Sequence, residues 1–316
     1  MAKISVIIPF KDSSADIKKV LYSVLNQNMQ DFNILIVTDM DIDLPLSSKI
    51  NIIKSDKEQN VSQMLNIGIK QTSSEYICLL NPNDLFLYNA LKLRYEEFQK
   101  DKSLFVCYGL GIDTDINYQI KQNINYEYFV QKDISFPGND INAVLSMDMN
   151  LSMSSLMFRK EVADNIEFNP LLKSTYLWDY FIRLFANYEN KICQISDPIY
   201  ISRDEEHNIR GNNQKYFIDF SKESIYVLDC YFSKENMTEE LKELHIQCYK
   251  NLYSYLFFIL VEYFPYNFWL RFYLLISYLK KNKQFNNKLI DFWFIAILIN
   301  SISLTKKRLF SNQFAQ

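Results

Sequence analysis

Three short groups of Asp, Asn and Pro each follow an apolar run: Pro9 to Asp12, Asp39 to Asp41, and Asn81 to Asp84. Carboxylate and amide oxygens at such places can hydrogen-bond a nucleobase or a ribose, or hold a hard cation that carries a diphosphate. Asx and Pro residues also stop strands and make turns, so the pattern alone leaves both readings open. A further carboxylate, Asp179, falls in the first turn of the helical pattern TYLWDYFIRLFANY (175–188). Shortly after it, ISRDEEHNIRG brings Arg203, His207 and Arg210 into one segment, where His207 reads equally well as a solvated loop residue. His245, in a helical KELHIQ context, reads as structural.

The elements that must position these groups alternate. KISVIIP (3–9) is a β-branched apolar run, as expected of a strand buried on both faces of a parallel sheet. Ser13 or Ser14 can N-cap a helix to about Asn28, with Ile17, Val20, Leu21, Val24 and Leu25 on one stripe. NILIVTD (33–39) and INIIKS (50–55) predict two more strands, and 60–71 a helix. EYICLL (75–80), a helix over 88–100 and LFVCYG (104–109) follow. Short connections between alternating strands and helices argue a doubly wound α/β sheet with parallel strands. In such sheets ligands bind at the carboxyl ends of the strands, which is where the three Asp/Asn groups fall. Residues 115–150 are Asn-rich and weakly periodic. LSMSSLMFRK (151–160) reads as a strand, QISDPIYISRD (194–204) as a strand pair or extended segment, and the chain from about Gln214 as helical.

Composition narrows the class. The 316 residues carry 34 basic and 37 acidic side chains, a net charge of −3. That balance argues against a nucleic-acid partner, which usually needs a basic excess. Only 5 glycines are present, and neither a G-x-G-x-x-G nor a G-x-x-x-x-G-K cradle occurs. The 5 cysteines form no C-x-x-C pair, which suits a reduced, cytoplasmic protein without a disulfide framework. The apolar run from Ile4 to Phe10 is too short for a signal peptide.

Six segments in order resemble the family 2 glycosyltransferases over about residues 3–210. Ile4 to Pro9 is similar to the family opening S-V-I-I-P, and Leu35 to Asp39 stands where the family has I-V-D-D. Asn66 to Ile69 followed by Glu75 to Ile77 resembles A-R-N-x-G-I and E-Y-I, and Asn81-Pro82-Asn83-Asp84 occupies the place of D-x-D-D. Met157 to Val162 resembles the acceptor-side F-R-R-E-V turn, and Leu177 to Leu184 resembles E-D-x-x-L-x-L-R. The departures are Lys11 for a base-stacking Tyr, Thr38 for the first Asp, Asn81 and Asn83 for the two Asp of D-x-D, and Trp178 for the Glu before Asp179.

The resemblance implies a GT-A fold, a Rossmann-like mixed α/β sheet, over 1–212, with a helical region over 213–316. It implies inverting transfer from a nucleotide-diphosphate sugar, a UDP-sugar first, to a hydroxyl of a cell-surface or lipid-linked glycan. Asp179 would be the general base. Pro9, Lys11, Asp39, Asn66, Asn81, Asn83, Asp84, Arg203 and Arg210 would line the donor site. Asn83, Asp84 and His207 would hold Mn2+ or Mg2+, with a weaker metal dependence than the family norm because Asn83 lacks a charge. The degenerate D-x-D also suits a pseudo-glycosyltransferase serving as a partner subunit, and a membrane-docked binding module is a third reading.

The C-terminal part differs in character. From Arg271 onward the chain carries +7, leaving −10 for the rest, and 18 aromatics crowd the last 66 residues, among them Trp269 and Trp293. The longest uncharged apolar stretch there is 14 residues, short of the roughly 20 that span a bilayer. Aromatics interleaved with Lys and Arg suit docking on an anionic membrane surface, which would place the protein peripherally on the inner face of the cell membrane. A helical bundle or a homo-oligomer seam fits the same composition.

Overall fold

The computed structural model describes residues 2–11, 16–44, 47–114, 119, 141–145, 152–203, 214–233, 238–263 and 267–284. The chain divides into two compact units, residues 1–144 with 150–205, and 145–149 with 206–316.

The first unit is built on one sheet. Its strands are β1 (Ile4–Pro9), β2 (Phe32–Thr38), β3 (Ile50–Lys54), β4 (Tyr76–Leu79), β5 (Leu85–Phe86), β6 (Val106–Thr114), β7 (Met157–Arg159) and β8 (Ile192–Arg203), in spatial order β3-β2-β1-β4-β7-β6-β8-β5. The helices are α1 (Ile17–Leu25), α2 (Val61–Gln71), α3 (Ala90–Lys100), α4 (Ile141–Leu145), α5 (Lys160–Asn165) and α6 (Tyr176–Tyr188). β1 pairs in parallel with β2 and β4, β2 with β3, and β6 with β8. The sheet is mixed, not all parallel: β7 runs antiparallel to both β4 and β6, and β5 antiparallel to β8. A three-residue strand such as Met157–Arg159 encodes no direction, which the connections on either side of it decide.

β1 and β2 are buried along almost their whole length, as their continuous β-branched runs require. α1 lays Ile17, Val20, Leu21 and Val24 on the sheet. Asp16 caps it, accepting from Lys19 N–H, so the helix starts at Ile17; Ser13 and Ser14, the expected caps, lie outside the described residues. α2 opens with a reciprocal capping box between Asn60 and Gln63. It packs so closely that a Cβ on Gly68 would stand 2.6 Å from Ile7 Cγ2. Residues 151–160 are not one strand. The Ser152 hydroxyl accepts from Ser154 N–H and starts a 3-10 turn over Met153–Ser155, so the local hydroxyl bond wins over the ladder. Residues 194–204, by contrast, lie within the single strand β8 as far as Arg203, and its pairing to β6 is offset around Gly109–Gly111.

The second unit holds α7 (Gln214–Tyr231), α8 (Glu239–Tyr263) and α9 (Phe268–Gln284), with α8 packed against both others. Leu252, Tyr253, Leu256, Leu270, Leu274 and Tyr278 are buried. Asp229 of α7 accepts from Tyr249 Oη of α8 at 2.5 Å and from Lys281 Nζ of α9 at 2.7 Å. Lys281 is therefore not a lipid-facing cation, as its place in the basic stretch suggested: its side chain is 13% exposed. No described helix is long and apolar enough to cross a membrane.

Candidate functional site

The parallel strands β2, β1 and β4 end on one edge of the sheet, bringing together the segments after Pro9, Thr38 and Leu79. Pro9 is buried, and Phe10 N–H continues the pairing to Val37 O at 2.8 Å. Lys11 does not lie loose beside them. Its Nζ donates to Lys57 O at 2.9 Å and to Gln59 O, tying the end of β1 to the segment that leads into α2. Thr38, in place of an Asp, is fully buried and makes a tight turn, its Oγ1 accepting from Met40 N–H at 3.1 Å. Asp39 follows with its Oδ1 buried and without a hydrogen-bond donor among the described residues.

The turn Asn81–Asp84 is locked internally. Asn81 N–H donates to Ser154 Oγ at 3.0 Å, while Asn81 Oδ1 accepts from Asn83 N–H at 3.0 Å. Asn83 Oδ1 accepts from Arg203 Nη2 at 2.9 Å. Arg203 ends β8, the strand paired to β5 just after the turn. Asp84 points inward and is 2% exposed. Its Oδ2 accepts from Ser154 Oγ at 2.5 Å and Ser152 Oγ at 3.2 Å, and the Arg203 backbone N–H also bonds the carboxylate. Burial nonetheless pushes the carboxyl up to about 7; the three hydrogen bonds pull the other way, and nearby Asp113 adds a smaller upward push.

The serine turn that receives Asp84 is itself held by Arg94 of α3. This guanidinium is fully buried, with Cζ 4.7 Å from the Phe86 ring centroid. Its Nη1 donates to the carbonyls of Ser154, Ser155 and Leu156 at 3.1–3.4 Å. Arg94, Ser152 and Ser154 were not singled out from the sequence. An Arg on the apolar stripe that Leu91 and Phe98 define was the signal that could have found the first.

Asn66 lies within α2. Its Nδ2 donates to Phe168 O at 2.8 Å and its Oδ1 accepts from Phe168 N–H at 2.9 Å, so both ends of the amide are used on backbone. Ser62 Oγ to Leu172 O at 2.7 Å and Asn60 Nδ2 to Pro170 O at 2.8 Å extend this clamp along α2. The clamped segment leads directly into α6 and Asp179. Arg159, from the F-R-R-E-V-like turn, likewise works on the scaffold, with Nε to Leu104 O at 2.7 Å and Nη1 to Glu75 Oε1 at 3.0 Å.

Asp179 sits in the first turn of α6 with a side chain 13% exposed. Arg183, one turn on, donates to its Oδ2 from Nε at 3.0 Å and from Nη2 at 2.5 Å, while Arg183 Nη1 reaches Glu167 O at 2.8 Å. Among the described residues no donor is recorded on Oδ1. Trp178 Nε1 bonds Val144 O of α4 at 2.7 Å and fixes the same turn from the other side. The arrangement is a carboxylate with one oxygen clamped and the other able to take a proton. His207 and Arg210 lie outside the described residues, and among the described residues no group of three His, Cys, Asp or Glu could hold a metal ion.

The model of the family described as Glycosyl transferase family 2 matches residues 5–167. The poly(ribitol-phosphate) β-N-acetylglucosaminyltransferase TarP of Staphylococcus aureus (strain N315) is 26% identical over 218 residues, 64% of this chain and 63% of that protein. The crystal structure of S. aureus TarS 1–349 in complex with UDP-GlcNAc has a TM-score of 0.58 at 16% identity, covering 80% of this chain and 73% of the other. The mannosyltransferase PcManGT from Pyrobaculum calidifontis, in complex with GDP-Man and Mn2+, has a TM-score of 0.52 at 9% identity, covering 96% and 80%. These two likenesses establish the GT-A fold. The chain spans less than two thirds of the length of the curated relatives it matches, between 16% and 63%.

Proposed function

The chain belongs to glycosyl transferase family 2, and from that premise we propose that it is an inverting glycosyltransferase that moves a sugar from a UDP-sugar to a hydroxyl of a cell-surface or lipid-linked polymer. The acceptor oxygen attacks the anomeric carbon and forms the new glycosidic bond. The bond from that carbon to the donor's phosphate oxygen breaks, and its electron pair leaves with the nucleoside diphosphate. The acceptor's proton passes to Asp179.

The observation that carries this reading is the Asp179 carboxylate. Arg183 holds Oδ2 in place, which orients Oδ1 as the proton acceptor. Asp39 supports the donor class. A buried carboxylate oxygen that meets no donor among the described residues matches a base edge that offers an N–H, as uracil N3 does. UDP-GlcNAc is the first donor to test and a polyol-phosphate polymer the first acceptor, since TarS is seen in complex with UDP-GlcNAc and TarP is a poly(ribitol-phosphate) β-N-acetylglucosaminyltransferase.

A second feature supports work at a membrane. Trp269, Phe272, Ile276 and Leu279 recur along α9 at helical spacing and are all exposed, Trp269 by 74%. Lys280 and Lys283, also exposed, lie at the end of this face. An apolar face with cationic neighbours matches an anionic lipid surface, each Lys near it contributing about 1 kcal/mol.

The test of the catalytic reading is UDP release from UDP-GlcNAc in the presence of acceptor polymer. Asp179→Asn should lower turnover by at least about 10²-fold, the usual worth of a positioned base, with UDP affinity little changed. Turnover near that of the wild type would refute the assignment of the base. Failure to bind any nucleoside diphosphate would refute the activity.

A further inference from the structure

The Asn81–Asp84 turn stands where the family resemblance implies carboxylates that carry a divalent cation. Its side-chain oxygens are engaged otherwise. Asn81 Oδ1 takes Asn83 N–H, Asn83 Oδ1 takes Arg203 Nη2, and the Asp84 carboxylate is turned inward onto Ser152 and Ser154. Mn2+ and Mg2+ are hard cations that favour anionic oxygens. Among the described residues, two neutral amides and a buried carboxyl make a donor set that does not fit either ion.

The turn meets a fixed positive charge instead. Arg203 reaches it from the end of β8, held by the β8–β5 pairing on one side and by its own backbone N–H on Asp84. Resting on the transferase reading above, we propose that Arg203 takes the place of the metal: its guanidinium binds the donor's diphosphate, and transfer proceeds without a divalent cation. An Asp at position 83 would pair with this guanidinium and neutralise it. The amide of Asn83 orients it by one hydrogen bond and brings no negative charge of its own. The loss of the two Asp and the presence of Arg203 are then one adaptation. A guanidinium suits the role because its planar fork donates two parallel hydrogen bonds to a phosphate and stays charged at any working pH. As the anomeric carbon–oxygen bond breaks, negative charge grows on the diphosphate oxygen, and a preplaced cation there lowers the barrier.

Calorimetric titration of the full chain with UDP, in excess EDTA and in Mn2+, tests this together with turnover under the same conditions. The wild type should bind UDP and turn over in EDTA to within about twofold of the values in Mn2+. Arg203→Ala should weaken UDP binding in EDTA by about 10- to 100-fold, the worth of a hydrogen bond to a charged group, and lower turnover by about 10²-fold. Arg203→Lys, which keeps the charge and loses the fork, should fall between. Asn81→Asp with Asn83→Asp should weaken UDP binding in EDTA and make it respond to Mn2+. UDP binding by the wild type only in Mn2+ or Mg2+ overturns the proposal, and so does unchanged binding by Arg203→Ala in EDTA. Absence of binding to UDP, GDP, CDP and dTDP in every condition overturns the transferase reading itself, a different result from metal-dependent binding.

Discussion

Replacing Asp84 with Asn turns the burial of that carboxyl into a measurable pH dependence. In the fold its pKa lies near 7, against 3.8 for the ordinary side chain, because almost no solvent reaches it. The folded state therefore holds a proton on Asp84 that the unfolded chain has released. Stability from this group is fully present below about pH 4 and is lost as the pH rises towards and through 7. Each unit of difference is worth 1.36 kcal/mol, and integrating between pH 5 and pH 8 leaves about 2–3 kcal/mol lost by the wild type over that interval. The amide of the Asp84→Asn variant would be close in shape to the carboxyl, stay neutral at every pH, and still accept from the serine hydroxyls. Urea unfolding of wild type and Asp84→Asn at pH 5, 6, 7 and 8, followed by tryptophan fluorescence, isolates the effect, since other groups titrate alike in both. The variant should gain on the wild type by about 2–3 kcal/mol from pH 5 to pH 8. A difference that stays constant with pH would refute the reasoning, because it would mean that Asp84 is ionised throughout and solvated or ion-paired.

Other outcomes follow from the same contacts. Asn66→Ala strips both partners from the Phe168 backbone and should cost about 1–3 kcal/mol in urea unfolding, with turnover reduced through the α6 segment and UDP affinity within about twofold of wild type; a large loss of UDP affinity would return Asn66 to the donor site. Arg94→Met leaves the carbonyls of Ser154 to Leu156 without their buried donor, and about 3 kcal/mol or more of stability should be lost, which the same titration reads. In the helical unit, burial against Phe232 pushes the His245 imidazole down to about 4. That unit should lose helix stability as the pH falls from about 6.5 towards 4, and thermal melts by circular dichroism should show His245→Phe removing the loss. For α9, Lys280→Glu with Lys283→Glu should reduce sedimentation with vesicles containing anionic lipid and leave binding to neutral vesicles unchanged; equal binding to both by the wild type would speak against electrostatic docking.

What the residues alone determined was local. Continuous β-branched runs can be satisfied only by strands covered on both faces, so β1, β2 and β4 and the placing of Asp39 and Asn81–Asp84 at their carboxyl ends were readable from types and spacing. The helix carrying Asp179 was legible from its apolar stripe. The tertiary structure decided whatever depends on partners distant in the chain. The antiparallel insertion of β7 is set by its connections, not by its three residues. Ser152 and Ser154 looked like strand residues until Asp84, about 70 positions away, gave their hydroxyls a partner. Asn66 had the identity of a ligand-binding residue, but Phe168 takes both ends of its amide. Lys281 had the sign of a membrane-facing cation, yet Asp229 and the Tyr249 ring enclose it. A polar side chain acts on whatever its geometry reaches, and reach across 50 to 120 residues of chain is a property of the packed sheet and bundle, not of sequence spacing.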